Sequence, residues 1–284
     1  MATEIRSRLT PAEDDFLRAA ALYLDRPSLL IRIANLVGKP IEGLLRLLPE
    51  AAHRSLGDAA RHALDRAMQW AARSLPPEKA ASTSRLRQFI DRHGHTTMTA
   101  TTGAVGGAFG WAGLPLEVPV TTMLMLRSIA KVARAEGADL SDPATRLQCL
   151  AVFSLGSQGP LDAMESAYLS SRVALAVALR DAATFLARHS LAEVGEAWLR
   201  ESSPALVRLA ALIASRFEIT LSEKAAAQMV PVAGAAMGAL INAAFTDHFN
   251  RVAHFHFGIL KLERLHGAET VQNRYLALAQ QIHE

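Results

Sequence analysis

Apolar positions recur at helical spacing along almost the whole chain, and glycines, prolines and cap residues cut the pattern into successive helices. Thr10-Pro11-Ala12-Glu13 reads as a capping box with proline at the first helical position, opening a helix to about Leu24. Residues 28–48 form an apolar hairpin broken at Gly38 and Pro40, with few and mostly positive charges. Over residues 51–75, Leu56, Ala60, Leu64, Met68 and Ala71 share one stripe until Pro76-Pro77 stops it. A short helix follows over Thr83–Arg92. Pro119 opens another, which Gly137 ends, and Leu140-Ser141-Asp142-Pro143 is the start of one reaching Leu155. Helices are expected over 161–189, 191–201 and 204–217, with a further stretch from Glu223 that Pro231 interrupts. From Pro231 the pattern continues to about Leu265, with a weak point at Gly258, and a final helix follows Gly267. No strand pattern and no linker occurs, so the fold class is all-α, a large multi-helix bundle.

Two segments stand apart because they carry no charge: Thr96–Ala112 (TTMTATTGAVGGAFGWA) and Pro231–Thr246 (PVAGAAMGALINAAFT). Gly103, Gly107 and Gly110 are helically spaced in the first, Gly234 and Gly238 in the second. A helical glycine costs about 1 kcal/mol relative to alanine, a loss repaid where small residues let helices approach closely. These glycines are therefore expected to be helix-packing residues of two central Gly/Ala-rich helices. Seventeen residues rise roughly 25 Å as a helix, short of the ~30 Å hydrocarbon thickness, and Ala, Gly and Thr insert weakly. A packed core is the leading expectation, ahead of a shallow membrane contact, with short membrane-inserted glycine-rich hairpins as a further alternative.

Charge divides the chain. Residues 1–95 hold 15 Lys/Arg against 11 Asp/Glu, whereas residues 96–284 hold 15 against 16. A basic amphipathic region, 1–95, thus leads into an apolar core, 96–284, within one continuous domain of about 25–265. The arginines are scattered and not interleaved with aromatics, so a nucleic-acid partner is not expected. The single cysteine, Cys149, lies in an apolar run and reads as a core residue. The leading segment has no apolar stretch of the secretory type, which favours a cytoplasmic location.

Chemistry is sparse. Glu117, between Pro115 and Pro119, is placed in a break between helices, where it would serve a helix N-terminus. A functional role would require burial, or a cation such as Arg127 brought over it by folding. Asn242, in the second uncharged segment, is suited to hydrogen bonding between helices. His93 and His95 near Asp91, and Asp247, His248, His254 and His256, include no metal-binding spacing, and 254 and 256 diverge on a helix. No metal ligands, cofactor or catalytic residues are assigned: nucleophile elbow, phosphate loop and dinucleotide fingerprint are all missing. A hydrolase acting on lipid or peptide would need Glu117 to meet a histidine such as His93 or His248.

The block Gly110–Leu140 (GWAGLPLEVPVTTMLMLRSIAKVARAEGADL), followed by Ser141-Asp142-Pro143, resembles the EcsC protein family. It has the glycine-rich stretch, two prolines around an acid, an apolar helix with an arginine, and the Gly-x-Asp-Leu-x-Asp-Pro cap. A second block, Lys224–Asn242 (KAAAQMVPVAGAAMGALIN), resembles the family's later apolar run ending in asparagine. The resemblance implies a bacterial protein with a connection to a membrane transporter, since the family is named for a gene beside those of an ABC transporter. It supplies no reaction. Together, residues and resemblance predict a non-catalytic helical protein, peripheral at the inner membrane face, whose partner is a membrane surface or a transporter complex.

Overall fold

Local signals at the helix ends explain where the chain turns. The computed structural model describes residues 8–25, 29, 33–35, 38, 41–72, 110–155, 166–229 and 234–283. Its α-helices are α1 (Pro11–Leu24), α2 (Ile41–Leu45), α3 (Glu50–Ala72), α4 (Leu114–Ala135), α5 (Pro143–Leu155), α6 (Ala167–Arg188), α7 (Leu191–Leu199), α8 (Pro204–Gln228), α9 (Gly234–His266) and α10 (Ala268–His283). A 3-10 turn, Gly110–Gly113, leads into α4, and no strand occurs among the described residues. The fold is an all-α bundle. Thr10 and Glu13 complete both halves of the capping box on α1. Gly137 ends α4 at φ 81°, where Ala138 N–H donates to Ala133 O at 2.9 Å, and Gly267 separates α9 from α10 at φ 85°.

Two boundaries differ from the sequence reading. Helix α4 begins at Leu114, so Pro115 and Glu117 lie in its first turn and Pro119 lies inside it. Proline is tolerated at the second position because early N–H groups have no intrahelical acceptor, and Pro119 forfeits only one bond. Helix α8 runs unbroken over 204–228, because Phe217–Ser222 contains no glycine or proline to stop it. Helix α9 passes straight through Gly258, where the missing side chain accommodates Phe16 of α1. The expected helix 83–92, part of the 28–48 hairpin and most of the first glycine segment lie outside the described residues.

The most enclosed helix is α5. Every residue from Arg146 to Leu155 except Gln148 is buried, as expected of a helix touched on all sides by α3, α4, α6, α8 and α9. Phe153, Phe217 and Phe249 meet around it with ring centroids 5.0–6.0 Å apart. Buried Arg146 donates to the carbonyls of Ala71, Leu140 and Ser141 at 2.6, 2.9 and 2.8 Å, placing its charge at the carbonyl end of α3. Helices α4 and α9 run side by side in one direction: Glu117 meets Asn242 near their starts, and Glu136 meets His254 farther along. Helices α1 and α10 close over α9.

Candidate functional site

Three helices bring a carboxylate, an amine and an amide to one buried point. Glu117, in the first turn of α4, is ion-paired through Oε1 with Lys224 Nζ of α8, and each side chain is only 3% exposed. Asn242 of α9 donates its Nδ2 to the same Oε1 at 2.8 Å. The second carboxylate oxygen, Oε2, is buried and accepts no hydrogen bond among the described residues. Lys224 Nζ also lies 5.7 Å from the Phe245 ring centroid, so one side of the cation faces an aromatic surface. Helix continuity fixes the supports: Thr121 Oγ1 bonds back to Glu117 O at 3.1 Å, and Thr246 Oγ1 to Asn242 O at 2.9 Å. Leaving a carboxylate oxygen unpaired away from water is costly, which marks this point as chemically distinct from an ordinary core ion pair.

Of the residues singled out by sequence, Glu117 and Asn242 thus come together, while Arg127 is exposed on α4. The cation beside Glu117 is Lys224. Its sequence signal was its setting, the first residue of KAAAQM and one of only five lysines, in a stretch otherwise free of cations up to Arg251. Gly103 and Gly107 lie outside the described residues, Gly110 begins the 3-10 turn, Gly234 begins α9, and Gly238 is buried within it.

The histidines are dispersed. His93 and His95 lie outside the described residues. His248 Nδ1 pairs with Tyr23 Oη at 3.1 Å, and His254 Nδ1 with Glu136 at 2.6 Å. Neither reaches Glu117, whose one bonded oxygen is taken by Lys224 and Asn242. Among the described residues, no three His, Cys, Asp or Glu converge as a metal-binding group. Cys149 is buried, and burial pushes its thiol up to about 12, the behaviour of a packed residue instead of a nucleophile.

A second polar network joins α1, α5, α6, α9 and α10. Asp25 accepts from Ser166 Oγ, Tyr168 N and Tyr275 Oη at 2.9–3.1 Å. Tyr168 Oη lies 2.9 Å from His256 Nδ1, and His256 Nε2 lies 3.0 Å from Gln148 Oε1. A neutral ring protonated at Nε2 satisfies both contacts: Tyr168 donates to Nδ1, and Nε2–H donates to Gln148. Burial, with a smaller contribution from the Arg172 guanidinium, holds His256 well below the usual imidazole range. Arg172 is clamped by Glu263 at 2.8 and 2.9 Å. Beside His256, Gln148 and Arg172 opens a small cleft of about 250 Å³, otherwise walled by alanines and leucines of α5 and α6 together with Arg180. A larger groove of about 480 Å³ lies between α3, α7 and α8, with Asp65, Glu201, Glu218 and Trp198 on its walls.

A sequence model described as the EcsC protein family matches residues 24–259, a span that contains all three residues of the buried cluster. No curated protein matches the chain, and no solved structure does.

Proposed function

The chain belongs to the EcsC protein family, and from that premise we propose a non-catalytic helical protein that docks peripherally on an anionic membrane surface. The observation that carries this reading is an apolar face at one end of the bundle. Leu116 and Val120, one turn apart on α4, are 85% and 44% exposed, and Leu240 on α9 is 50% exposed. Because α4 and α9 run in the same direction and Glu117 touches Asn242, Leu240 belongs to the same end. Single exposed leucines are ordinary, but a set at one end of adjacent helices favours an interaction surface. The uncharged segments Thr96–Ala112 and Pro231–Thr246 lead into these same helix starts, and residues 1–95 carry the excess of cations. Both features suit a lipid surface over a protein one.

No described helix is long and apolar enough to cross a membrane, so the reading is of contact at the surface. Burying a Leu or Val side chain fully contributes about 1.5–3 kcal/mol, and partial insertion of three such residues needs help from charge. The test is flotation of the full chain with vesicles containing an anionic lipid, and with purely zwitterionic vesicles, at low and high salt. Binding to anionic vesicles at low salt, weakened by salt and lost in a Leu116→Asp/Leu240→Asp variant that melts like the wild type, is the expected result. A chain that floats with neither vesicle overturns the reading and turns the search to a protein partner.

A further inference from the structure

We propose that the buried Glu117–Lys224–Asn242 cluster is the site of an intramolecular amide cross-link, in which Lys224 Nζ displaces ammonia from the Asn242 side chain. The juxtaposition supplies each part the reaction needs. Lys224 is the nucleophile, the Asn242 carboxamide is the electrophile, and Glu117 Oε1 touches both the attacking nitrogen and the leaving nitrogen. All three are buried, so water neither solvates the separated charges nor competes as nucleophile. Held on three packed helices and bonded to one carboxylate oxygen, amine and amide are kept at an effective concentration no solution reaction reaches.

The proton inventory closes within the cluster. Glu117 takes one proton from the Lys224 ammonium, leaving a neutral amine. Oε2, which accepts no hydrogen bond among the described residues, is a position for that proton. The amine nitrogen attacks Asn242 Cγ, an Nζ–Cγ bond forms, and the adduct collapses with loss of the Cγ–Nδ2 bond. Lys224 sheds two protons in all: one departs on the ammonia through Glu117 acting as acid and base, and the other remains on Glu117. The products are a secondary amide between α8 and α9, free ammonia, and a protonated Glu117 able to donate to the new amide. No oxidant, metal or cofactor enters the balance.

Such a bond would tie α8 to α9. It would also replace a buried ion pair, whose desolvation offsets much of its attraction, by a neutral amide. The proposal stands apart from membrane docking, since it is read from covalent mass alone.

The experiment is intact mass spectrometry of the purified full chain, followed after incubation at neutral pH. The expected mass falls short of the sequence value by one ammonia. Trypsin should then leave residues 217–251 as one piece, uncut at Lys224 because its amine is acylated. Cyanogen bromide cuts at Met229 and Met237, between the two partners, and should leave 165–229 covalently joined to 238–284. The Lys224→Arg and Glu117→Gln variants, each checked for cooperative melting, should keep the full mass. Should either fail to fold, Asn242→Ala serves as the second control. A wild-type chain that retains its full mass overturns the proposal. So does ammonia loss that persists in Lys224→Arg with separable fragments, which would be ring closure of Asn242 onto its own backbone.

Discussion

A neutral histidine sealed inside a helical core makes stability depend on pH in one direction. His256 binds its proton less readily in the folded chain than in the unfolded one, because burial and then Arg172 disfavour the imidazolium. Above the ordinary imidazole value of about 6.5 both states are neutral and nothing changes. Below it the unfolded chain takes up a proton that the folded chain refuses, so stability falls, by up to about 1.4 kcal/mol per pH unit. Urea melts from pH 7.5 to 5.5 should show this slope in the wild type. His256→Gln, which retains a donor and an acceptor for Gln148 and Tyr168, should flatten it; an equal slope in both proteins would assign the effect elsewhere. The same scale shows what sequence can disclose about a buried site. Glu117 and Asn242 stood out because each is a polar residue in an apolar run. Lys224 did not, since a lysine before alanines is ordinary on a helix surface, and its partner Glu117 lies 107 residues away. Arg127 was the sequence-near cation, and it faces solvent because Leu126, Ser128, Ile129 and Ala130 take the buried positions around it.

Helices rather than single residues carry the legible part of the fold, because their signals are local. The Thr10–Glu13 box, Asp142-Pro143 and Gly137 act within one turn, and α1, α5 and the end of α4 fall where they direct. Glycine within a helix is different, since its meaning depends on what lies opposite. Gly258 reads in sequence as a weak point, yet a Cβ there would sit 2.3 Å from Phe16 Cζ. Its absence is what lets α1 lie against α9, where Phe16 packs on His254 and Phe255 with centroids 5.4 and 5.6 Å apart. Gly258→Ala should therefore destabilise the protein by about 1–3 kcal/mol, the usual cost of overpacking. In a Phe16→Ala background the same change should reverse sign and stabilise by up to about 1 kcal/mol, through helix propensity alone. A double-mutant cycle by chemical denaturation measures it. Equal costs in both backgrounds would show that the two helices do not meet as described.

Across the whole molecule, the folding unit is wider than the family-matched segment. The match spans 24–259, but one buried cluster extends from Leu17 of α1 to Ala279 of α10. The polar contacts agree. Tyr275 donates to Asp25 at 3.0 Å, Arg274 Nη2 lies 2.8 Å from Asp14, and His266 Nε2 lies 3.1 Å from Glu13. Arg172 depends on Glu263, four residues past the matched span. Trimming the chain to 24–259 would strip a donor from buried Asp25 and leave the largely buried Arg172 without its carboxylate. Breaking one partner of such a pair costs about 3–5 kcal/mol. The apolar faces that meet α1 and α10 would open to water at the same time. Since whole domains are stable by only about 5–15 kcal/mol, these losses together should abolish cooperative folding. Circular dichroism should then show helical content without a sharp melt, or the trimmed chain should be recovered only as aggregate. Removing 268–284 alone should give a milder form of the same defect, because Asp25 keeps Ser166 and Tyr168 and Arg172 keeps Glu263. A trimmed 24–259 that melts as sharply and as high as the full chain would instead make α1 and α10 appendages, with the Asp25 network dispensable.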